Sequence, residues 1–258
     1  PTRRSSDLGA LFSEFAGSLA LFLDGLVTFS AFMTYTLTVK TNSLAFGILL
    51  ACVISLAIIF IFSWAVEKFK ANSFIASLAM NLLLSSLTTM LSSLIFGTRS
   101  VLSESQFYVN STFSKIFSIS ITGFFLILAI VFLLRTKVGL YIRITGSDSD
   151  VLKAKGISPE LTRILSWELS SLYASLAGSL LVLRLCAFVP NISSGRGWMA
   201  LAAVFVGKKK SLKTILAVVI FCAADFFATN IQNFFPGLPS SFLISFPYLV
   251  VLLISFFN

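Results

Sequence analysis

The residues best equipped for chemistry in this sequence are polar groups that interrupt long apolar runs. They are the acids Glu14, Asp24, Glu168 and Asp225, the amides Asn81, Asn230, Gln232 and Asn233, and the bases Arg184 and Arg196. An ionisable group in an apolar setting is costly, so each is a functional candidate. The alternative is that these groups hydrogen-bond neighbouring helices and hold a bundle together. For Asp24, beside Gly25, we expect a structural role. For Asn81 and Asp225 both interpretations stay open.

Signatures of catalysis or metal binding do not appear. The sequence contains no histidine, which removes the usual proton shuttle and the commonest metal ligand. Cys52, Cys186 and Cys222 each stand alone in apolar runs, as buried small hydrophobic residues do. The stretch GKKKS at 207–211 has Ala202 where a phosphate loop needs glycine. We therefore expect no enzymatic activity, no metal and no cofactor in this chain.

The composition indicates a membrane protein. The chain is 57% hydrophobic and 11% charged, whereas a soluble domain carries about a quarter charged residues. The apolar segments run over roughly 9–23, 25–39, 44–66, 73–96, 116–134, 164–188, 198–206, 214–231 and 241–257. Several have the roughly twenty residues that a helix needs to cross a bilayer core. The sequence predicts an all-α, polytopic transmembrane helix bundle.

Two of these segments, 9–23 and 198–206, are short and interrupted by glycine. Short, broken helices occur at membrane depth only where they pack in protein or line a cavity. Both segments are therefore candidates for a central pathway, with an ordinary short or tilted helix as the alternative.

The first eight residues differ from the rest. PTRRSSDL has no apolar region, and it resembles the translation of a DNA sequencing-library adapter. We expect residues 1–8 to be foreign to the protein and exclude them from fold reasoning. Residues 9–258 are then predicted to form one transmembrane domain.

Basic residues predict the orientation of the bundle. Alternating the segments places most of them on one side: Lys68, Lys70, Arg135, Lys137, Arg143, Lys153, Lys155, Arg163, Lys208, Lys209, Lys210 and Lys213. The other side receives Lys40, Arg99, Lys115 and Arg196. Because basic loops stay in the cytoplasm, the first side is predicted to be cytoplasmic. This bias accounts for the net charge of +9 without a nucleic-acid partner.

A polar stretch, GSDSDVLKAKGISPE at 146–160, lies on the predicted cytoplasmic side. Asp148 or Ser149 can cap a helix start and Gly156 can end the helix. Val151 and Leu152 give it a small apolar face. A helix of under two turns is unstable alone, so we expect packing against its own loops or a partner. Pro159 is expected to separate this helix from the next spanning helix.

Four segments resemble permeases of nucleoside and simple-sugar ABC importers. They are SEFAGSLALFLDGL, KANSFIASLAMNLLLSSL, GLYIRITGSDSDVLKAKGIS and SSGRGWMALAAVFVGKKK. They occur in the family's order, and the likeness covers residues 9–258. The chain is most similar to the second permease of purine-nucleoside systems served by a basic-membrane-protein-type lipoprotein.

The resemblance implies a type II importer permease in a bacterial inner membrane. Its partners would be ABC ATPases that bind ATP and magnesium, a second permease and an extracytoplasmic substrate-binding lipoprotein. The likeness places the ATPase-coupling helix at 146–157. The residues it implies for docking are Gly146, Asp148, Asp150, Leu152 and Gly156. The family also has a spanning helix before SEFAG, so we expect at least one N-terminal helix to be missing here.

This sequence departs from the family pattern in two places. Asp148-Ser149 replaces Asn-Pro, and Ala20-Leu21-Phe22 replaces Asn-Ile-Gly, with Asp24 in place of Glu. For the substrate pathway we select Asn81, Asp225 and Trp198, with Asp24 as a support. An aromatic ring can stack on a base while amides and carboxylates pair with its edges or with ribose hydroxyls.

The expected function is inward transport of a nucleoside, with a purine nucleoside as the expected solute. The alternatives within the class are import of a simple sugar such as ribose, or of a branched-chain amino acid. An ion-coupled secondary transporter, using Asp24, Glu168 or Asp225 as proton sites, is a rival from another class. A membrane scaffold without transport is a third.

Overall fold

The computed structural model describes residues 4–103, 107, 111–207, 217, 220, 221, 223, 224 and 249. Over these residues the chain is helical. The helices are α1 (Arg4–Phe15), α2 (Leu23–Thr41), α3 (Leu44–Lys68), α4 (Ser73–Phe96), α5 (Ser111–Arg135), α6 (Lys137–Ser147), α7 (Ser149–Ala154), α8 (Pro159–Leu185) and α9 (Arg196–Val206). The predicted segments 214–231 and 241–257, and with them Asp225, lie almost wholly outside the described residues.

Helices α3, α4 and residues 114–133 of α5 are long and apolar enough to cross a membrane. Their large apolar side chains point outward, as Phe60 of α3, Leu82 of α4 and Ile127 of α5 show. Exposed apolar faces of this extent mark contact with lipid or another protein. The predicted all-α transmembrane bundle is confirmed.

Helices α2 and α8 form the buried centre and run parallel to each other. The Ser30 hydroxyl donates to the Ser175 carbonyl at 2.7 Å, and one turn later the hydroxyls of Thr34 and Ser179 are 2.7 Å apart. A Cβ on Gly178 would collide with the α2 backbone. Small residues that let backbones approach, reinforced by hydroxyl contacts, are typical of helix packing in membranes.

The bundle has two distinct ends. The basic end contains the C-terminus of α3, the start of α4, the helices α6 and α7, and the start of α8. At the far end, an isolated backbone bridge joins Leu102, after α4, to Phe188, after α8.

The two segments predicted to be short and interrupted differ in the structure: 9–23 is broken, whereas 198–206 belongs to one short continuous helix. α1 stops at Phe15 and α2 starts at Leu23, while α9 spans only 11 residues. Two local expectations were wrong. Pro159 does not separate the polar stretch from the next helix but opens α8, because the first turn of a helix tolerates a missing N–H. Gly146, which was expected to belong to the coupling helix at 146–157, lies instead in the last turn of a separate helix, α6.

Candidate functional site

The first break, residues 16–22 between α1 and α2, has its backbone groups satisfied by side chains. The Ser13 hydroxyl accepts from the Ala20 N–H at 3.3 Å, and the Ser77 hydroxyl of α4 accepts from the Phe22 N–H at 3.2 Å. The Trp167 indole of α8 donates to the Ser18 carbonyl at 3.0 Å. Irregular backbone inside a membrane protein requires such partners. The break is therefore built into the bundle by its neighbours.

Asn81 supports the same break. Its side-chain oxygen accepts from the Gly25 N–H at 2.6 Å, and its side chain is buried. The first N–H groups of a helix have no partner within the helix, so Asn81 serves the first turn of α2. A Cβ on Gly25 would collide with the Asn81 backbone, which explains glycine at the contact. Two interpretations were left open for Asn81, a functional role and a role in holding the helices together. This contact supports the second.

Asp24 ties the first break to the second, residues 186–195 between α8 and α9. Its carboxylate accepts from the Ser193 hydroxyl and, at 3.1 Å, from the Gly197 N–H. It thus lies in the first turn of α2 and at the N-terminus of α9. Both positions favour a negative charge because of the helix dipole. The expected structural role of Asp24 agrees with these contacts.

Three of the four candidate pathway residues meet at this place, which we call the junction: the first turn of α2, the Asn81 turn of α4 and the first turn of α9. Trp198 follows Gly197 and leaves 42% of its surface exposed, so its indole is available to a partner or solute. Asp225 lies outside the described residues.

A cavity of about 120 Å³ lies next to the junction, toward the end opposite the basic end. The lining residues are Thr28, Ser85, Thr88, Thr89, Ser92, Arg99, Phe188, Pro190 and Asn191. The sequence analysis missed it, although a signal was present. The four α4 hydroxyls occur at i, i+3, i+4 and i+7, the spacing that puts side chains on one helix face.

The short helix α7 forms at the basic end as predicted. The Asp148 side chain caps it by accepting from the Asp150 N–H at 3.0 Å. Gly156, at φ +73°, follows its C-terminus, where the Ile157 N–H bonds the Leu152 carbonyl at 3.0 Å. Helices commonly end in this way, with a residue in the left-handed conformation after the last turn, and glycine is the residue that adopts this conformation most easily. The predicted helix start and stop are confirmed.

The apolar side chains of α7 divide between two environments. Leu152 is fully buried, with 0% of its surface exposed, whereas Val151 is 43% exposed. α7 contacts α6 and α8, so Leu152 anchors the helix to its own chain. Asp148, Asp150 and Val151 remain exposed.

Gly146 connects this end of the molecule to the first break. Its Cα lies close to Gly17, and a Cβ on Gly146 would collide with the Phe15 carbonyl. α6 and α1 therefore touch through their backbones at the point where α1 ends. Gly146 thus lies before α7 and is a packing contact within the chain.

The ends of α3 and α8 are held together by an ion pair. The Arg163 guanidinium donates to both carboxylate oxygens of Glu67, at 2.6 and 2.8 Å. Bidentate pairs of this kind fix orientation as well as distance. The pair therefore fixes the position of the start of α8 relative to α3, and α7 lies just before that start.

Two further embedded acids have different environments. Glu14 is buried near the end of α1. Glu168 of α8 is partly buried, and its buried Oε1 has no hydrogen-bond partner in the described chain. Within the residues that the structure describes, no three acids or cysteines gather to hold a metal.

A broken-helix membrane bundle with a capped polar helix at its basic end is the architecture of a transport permease. The chain belongs to the family described as branched-chain amino acid transport system / permease component, which matches residues 8–255. The family-level resemblance predicted from the motifs is therefore confirmed.

Several relatives span most of the chain. A putative glucose ABC transporter permease of Haloferax volcanii is 27% identical, over 84% of this chain and 70% of the relative. A guanosine ABC transporter permease of Bacillus subtilis is 24% identical, over 95% and 85%. A nucleoside ABC transporter permease of Lactococcus lactis is 23% identical, over 96% and 86%.

A solved structure shares the fold. PsaBC from Streptococcus pneumoniae, solved in complex with a Fab, aligns at a TM-score of 0.52 and 15% identity, covering 98% of this chain and 88% of that one. The likeness supports the helical fold.

Proposed function

We propose that this chain is the membrane-spanning subunit of an ABC importer that moves a nucleoside, specifically a purine nucleoside, into the cell. The observation that carries the proposal is an exposed, capped helix at the basic end whose supporting helix touches the first break. The guanosine and nucleoside permeases among its relatives support the choice of solute. In this proposal the subunit transports the solute, and the hydrolysis of ATP belongs to another chain.

The proposed orientation places the basic end in the cytoplasm of a bacterium. Lys68, Lys70, Arg135 and Lys137 all lie at that end, beside the termini of apolar helices of spanning length. Basic residues next to spanning helices are retained on the cytoplasmic side. The chain is then a multi-pass protein of the cytoplasmic membrane, and its hydroxyl-lined cavity faces outward.

In this proposal α7 is the part of the chain that docks onto an ABC ATPase. Asp148, Asp150 and Val151 supply the exposed docking face, Leu152 anchors the helix from below, and Gly156 ends it. ATP and magnesium would be bound by the ATPase. The other proposed partners are a second permease and an external substrate-binding lipoprotein.

The contact between Gly146 and Gly17 supplies a route for coupling. Because the two backbones touch, a displacement of α6 and α7 reaches the end of α1 without passing through flexible side chains. The first break then passes the movement through α2 and Asp24 to α9. Rigid-body movement of packed elements is a common way to transmit a switch.

Sugar import is the second candidate. The Haloferax relative, described as a putative glucose permease, favours it, and a hydroxyl-lined cavity suits either solute.

The proposal is tested with the permease assembled with candidate partner subunits and binding protein in lipid vesicles, following uptake of labelled guanosine. The test variant is Asp148→Arg with Val151→Glu, two exposed positions of α7. The control is Lys70→Asp, a charge reversal at an exposed position of the same end. We expect the double variant to lose at least about tenfold in ATP-dependent uptake, because misplaced charges at an interface cost several kcal/mol, and the control to retain it.

Each other outcome has a defined meaning. Unchanged uptake in the double variant would contradict the docking role of α7. Guanosine uptake without ATPase subunits would contradict the ABC mechanism. If the unmodified complex transported a sugar but not guanosine, the proposed solute would be wrong and sugar import, the second candidate, would be supported.

A further inference from the structure

We propose that the cavity between α2, α4 and the 186–195 loop binds the hydroxyl groups of a pentose, either free or as part of a nucleoside, during transport. The inference rests on the proposed function and names the part of the solute that this chain itself recognises. It concerns residues other than those predicted from the sequence.

Five hydroxyl side chains line the cavity. Ser85, Thr88, Thr89 and Ser92 form a stripe along one face of α4, and Thr28 of α2 faces them across the cavity. Thr88, Ser92 and Thr28 are buried within the chain. If these hydroxyls only packed the two helices together, no cavity would remain between α2 and α4. The cavity therefore leaves space for a solute.

The hydrogen bonds of these hydroxyls prepare them to accept. Thr88 donates to the Leu84 carbonyl at 2.7 Å, Ser92 to the Thr98 carbonyl at 2.9 Å, and Thr28 to the Asp24 carbonyl at 3.2 Å. With their protons engaged, the oxygens retain lone pairs for incoming donors. A sugar hydroxyl is such a donor.

Complementary donors border the same space. Arg99 contributes guanidinium N–H groups from an exposed position at the cavity mouth, and Asn191 contributes a side-chain amide. A sugar hydroxyl both donates and accepts, so a wall of acceptors with donors at its rim satisfies both functions.

The size and the apolar side of the cavity also suit a pentose. Its volume of about 120 Å³ is about four times the share of one water in the liquid, so the cavity has room for a small solute group and not only for a single ordered water. Phe188 and Pro190 supply an apolar wall against which the C–H face of the sugar can pack. A purine would then lie outside this pocket.

The cavity is connected to the junction. Thr28 donates to the carbonyl of Asp24, while Asn191 is two residues before Ser193, which donates to the Asp24 carboxylate. A sugar held between Thr28 and Asn191 therefore contacts both elements that Asp24 ties together.

The test uses the assembled complex in vesicles and compares uptake of labelled guanosine, 2′,3′-dideoxyguanosine and ribose. The variant Thr88→Val with Ser92→Ala removes two cavity hydroxyls with little change of shape. The control, Thr41→Val, removes a hydroxyl that makes the same 2.7 Å bond to its own helix away from the cavity. Ser85→Leu fills the cavity as a second variant, and ATPase activity stimulated by loaded binding protein reports assembly.

We expect the double variant to slow guanosine uptake about two- to tenfold per lost hydrogen bond, to leave the slower dideoxyguanosine uptake unchanged, and to leave ATPase activity intact. Thr41→Val should behave as the unmodified complex, and Ser85→Leu should reduce uptake further. If ribose is the transported solute, the same losses should appear with ribose.

Guanosine or ribose uptake that is insensitive to both cavity variants would overturn the cavity assignment and leave the proposed function in place. Equal losses for guanosine and dideoxyguanosine would also overturn it, since the effect would not depend on sugar hydroxyls. If the unmodified complex transports neither guanosine nor ribose, both proposals fail.

Discussion

The two broken segments solve the same problem in opposite ways. The first break, residues 16–22, is satisfied by side chains of distant helices: Ser77 and Asn81 from α4 and Trp167 from α8. The second, residues 186–195, is bonded by backbone groups, both locally, as from Ser194 to Asn191, and to Leu102 through Phe188. Side chains from α4 and α8 lock the first break to the bundle, whereas the second is tied to it by Asp24 and the bridge to Leu102.

The second break also carries backbone conformations that the first largely avoids. Asn191 and Ser194 adopt positive φ of 55° and 47°, and Gly195 follows at 80°. Non-glycine residues rarely adopt this region. Because strained backbone is concentrated in segments that switch conformation, the comparison indicates that the break lining the cavity is the one able to rearrange around a solute.

The largest expected effect comes from unlocking the first break. Asn81→Leu leaves the buried Gly25 N–H without its acceptor and adds apolar bulk, for an expected loss of about 2–4 kcal/mol in the free energy of unfolding. Thermal unfolding of the purified complex in detergent measures it. Asn81→Asp keeps the acceptor oxygen and should lose less. Equal losses in the two variants would show that the contact to Gly25 does not support the break.

A smaller loss is expected where the two breaks meet. A Cβ on Gly197 would collide with the Asp24 backbone, so Gly197→Ala should destabilise by about 1–3 kcal/mol through overpacking. The matched control is Gly123→Ala, because a Cβ there meets nothing within 4 Å. Thermal unfolding and uptake are measured on both. An unaffected Gly197→Ala variant would contradict the close contact between the two breaks.

The smallest expected effect comes from removing only the charge of Asp24, the residue that connects the two breaks. Asp24→Asn keeps an oxygen for Ser193 and Gly197 but loses the charge favoured at two helix N-termini, at a cost of about 1 kcal/mol or less. Limited proteolysis in the 186–195 loop should accelerate more than proteolysis in the 16–22 segment. If proteolysis accelerated equally at both sites, the two breaks would not differ in how they are held to the bundle.

The sequence predicted the break at 16–22 and the short helix α9 because their signals are local. Glycine and short apolar length marked both, and Asp148 and Gly156 marked the ends of α7. The partner of Asn81 could not be predicted, because Gly25 is 56 residues away and only tertiary packing brings them together. Leu152 resembled an exposed docking residue for the same reason, since its burial depends on how α6 and α8 surround α7.

The cavity shows a different limit. Serine and threonine occur in each of the helices α1 to α8, and most of those on α8 pack against neighbours. The face of α4 that carries Ser85, Thr88, Thr89 and Ser92 has helical spacing, but spacing alone does not reveal that the facing space is empty.

The Glu67–Arg163 pair has a mechanical consequence. A single hydrogen bond acts as a pivot, but two parallel bonds between planar groups resist rotation. The start of α8 is therefore fixed in orientation against the end of α3. A force that rotates the start of α8 is then passed to α3 as torque instead of being lost in a hinge between the two helices.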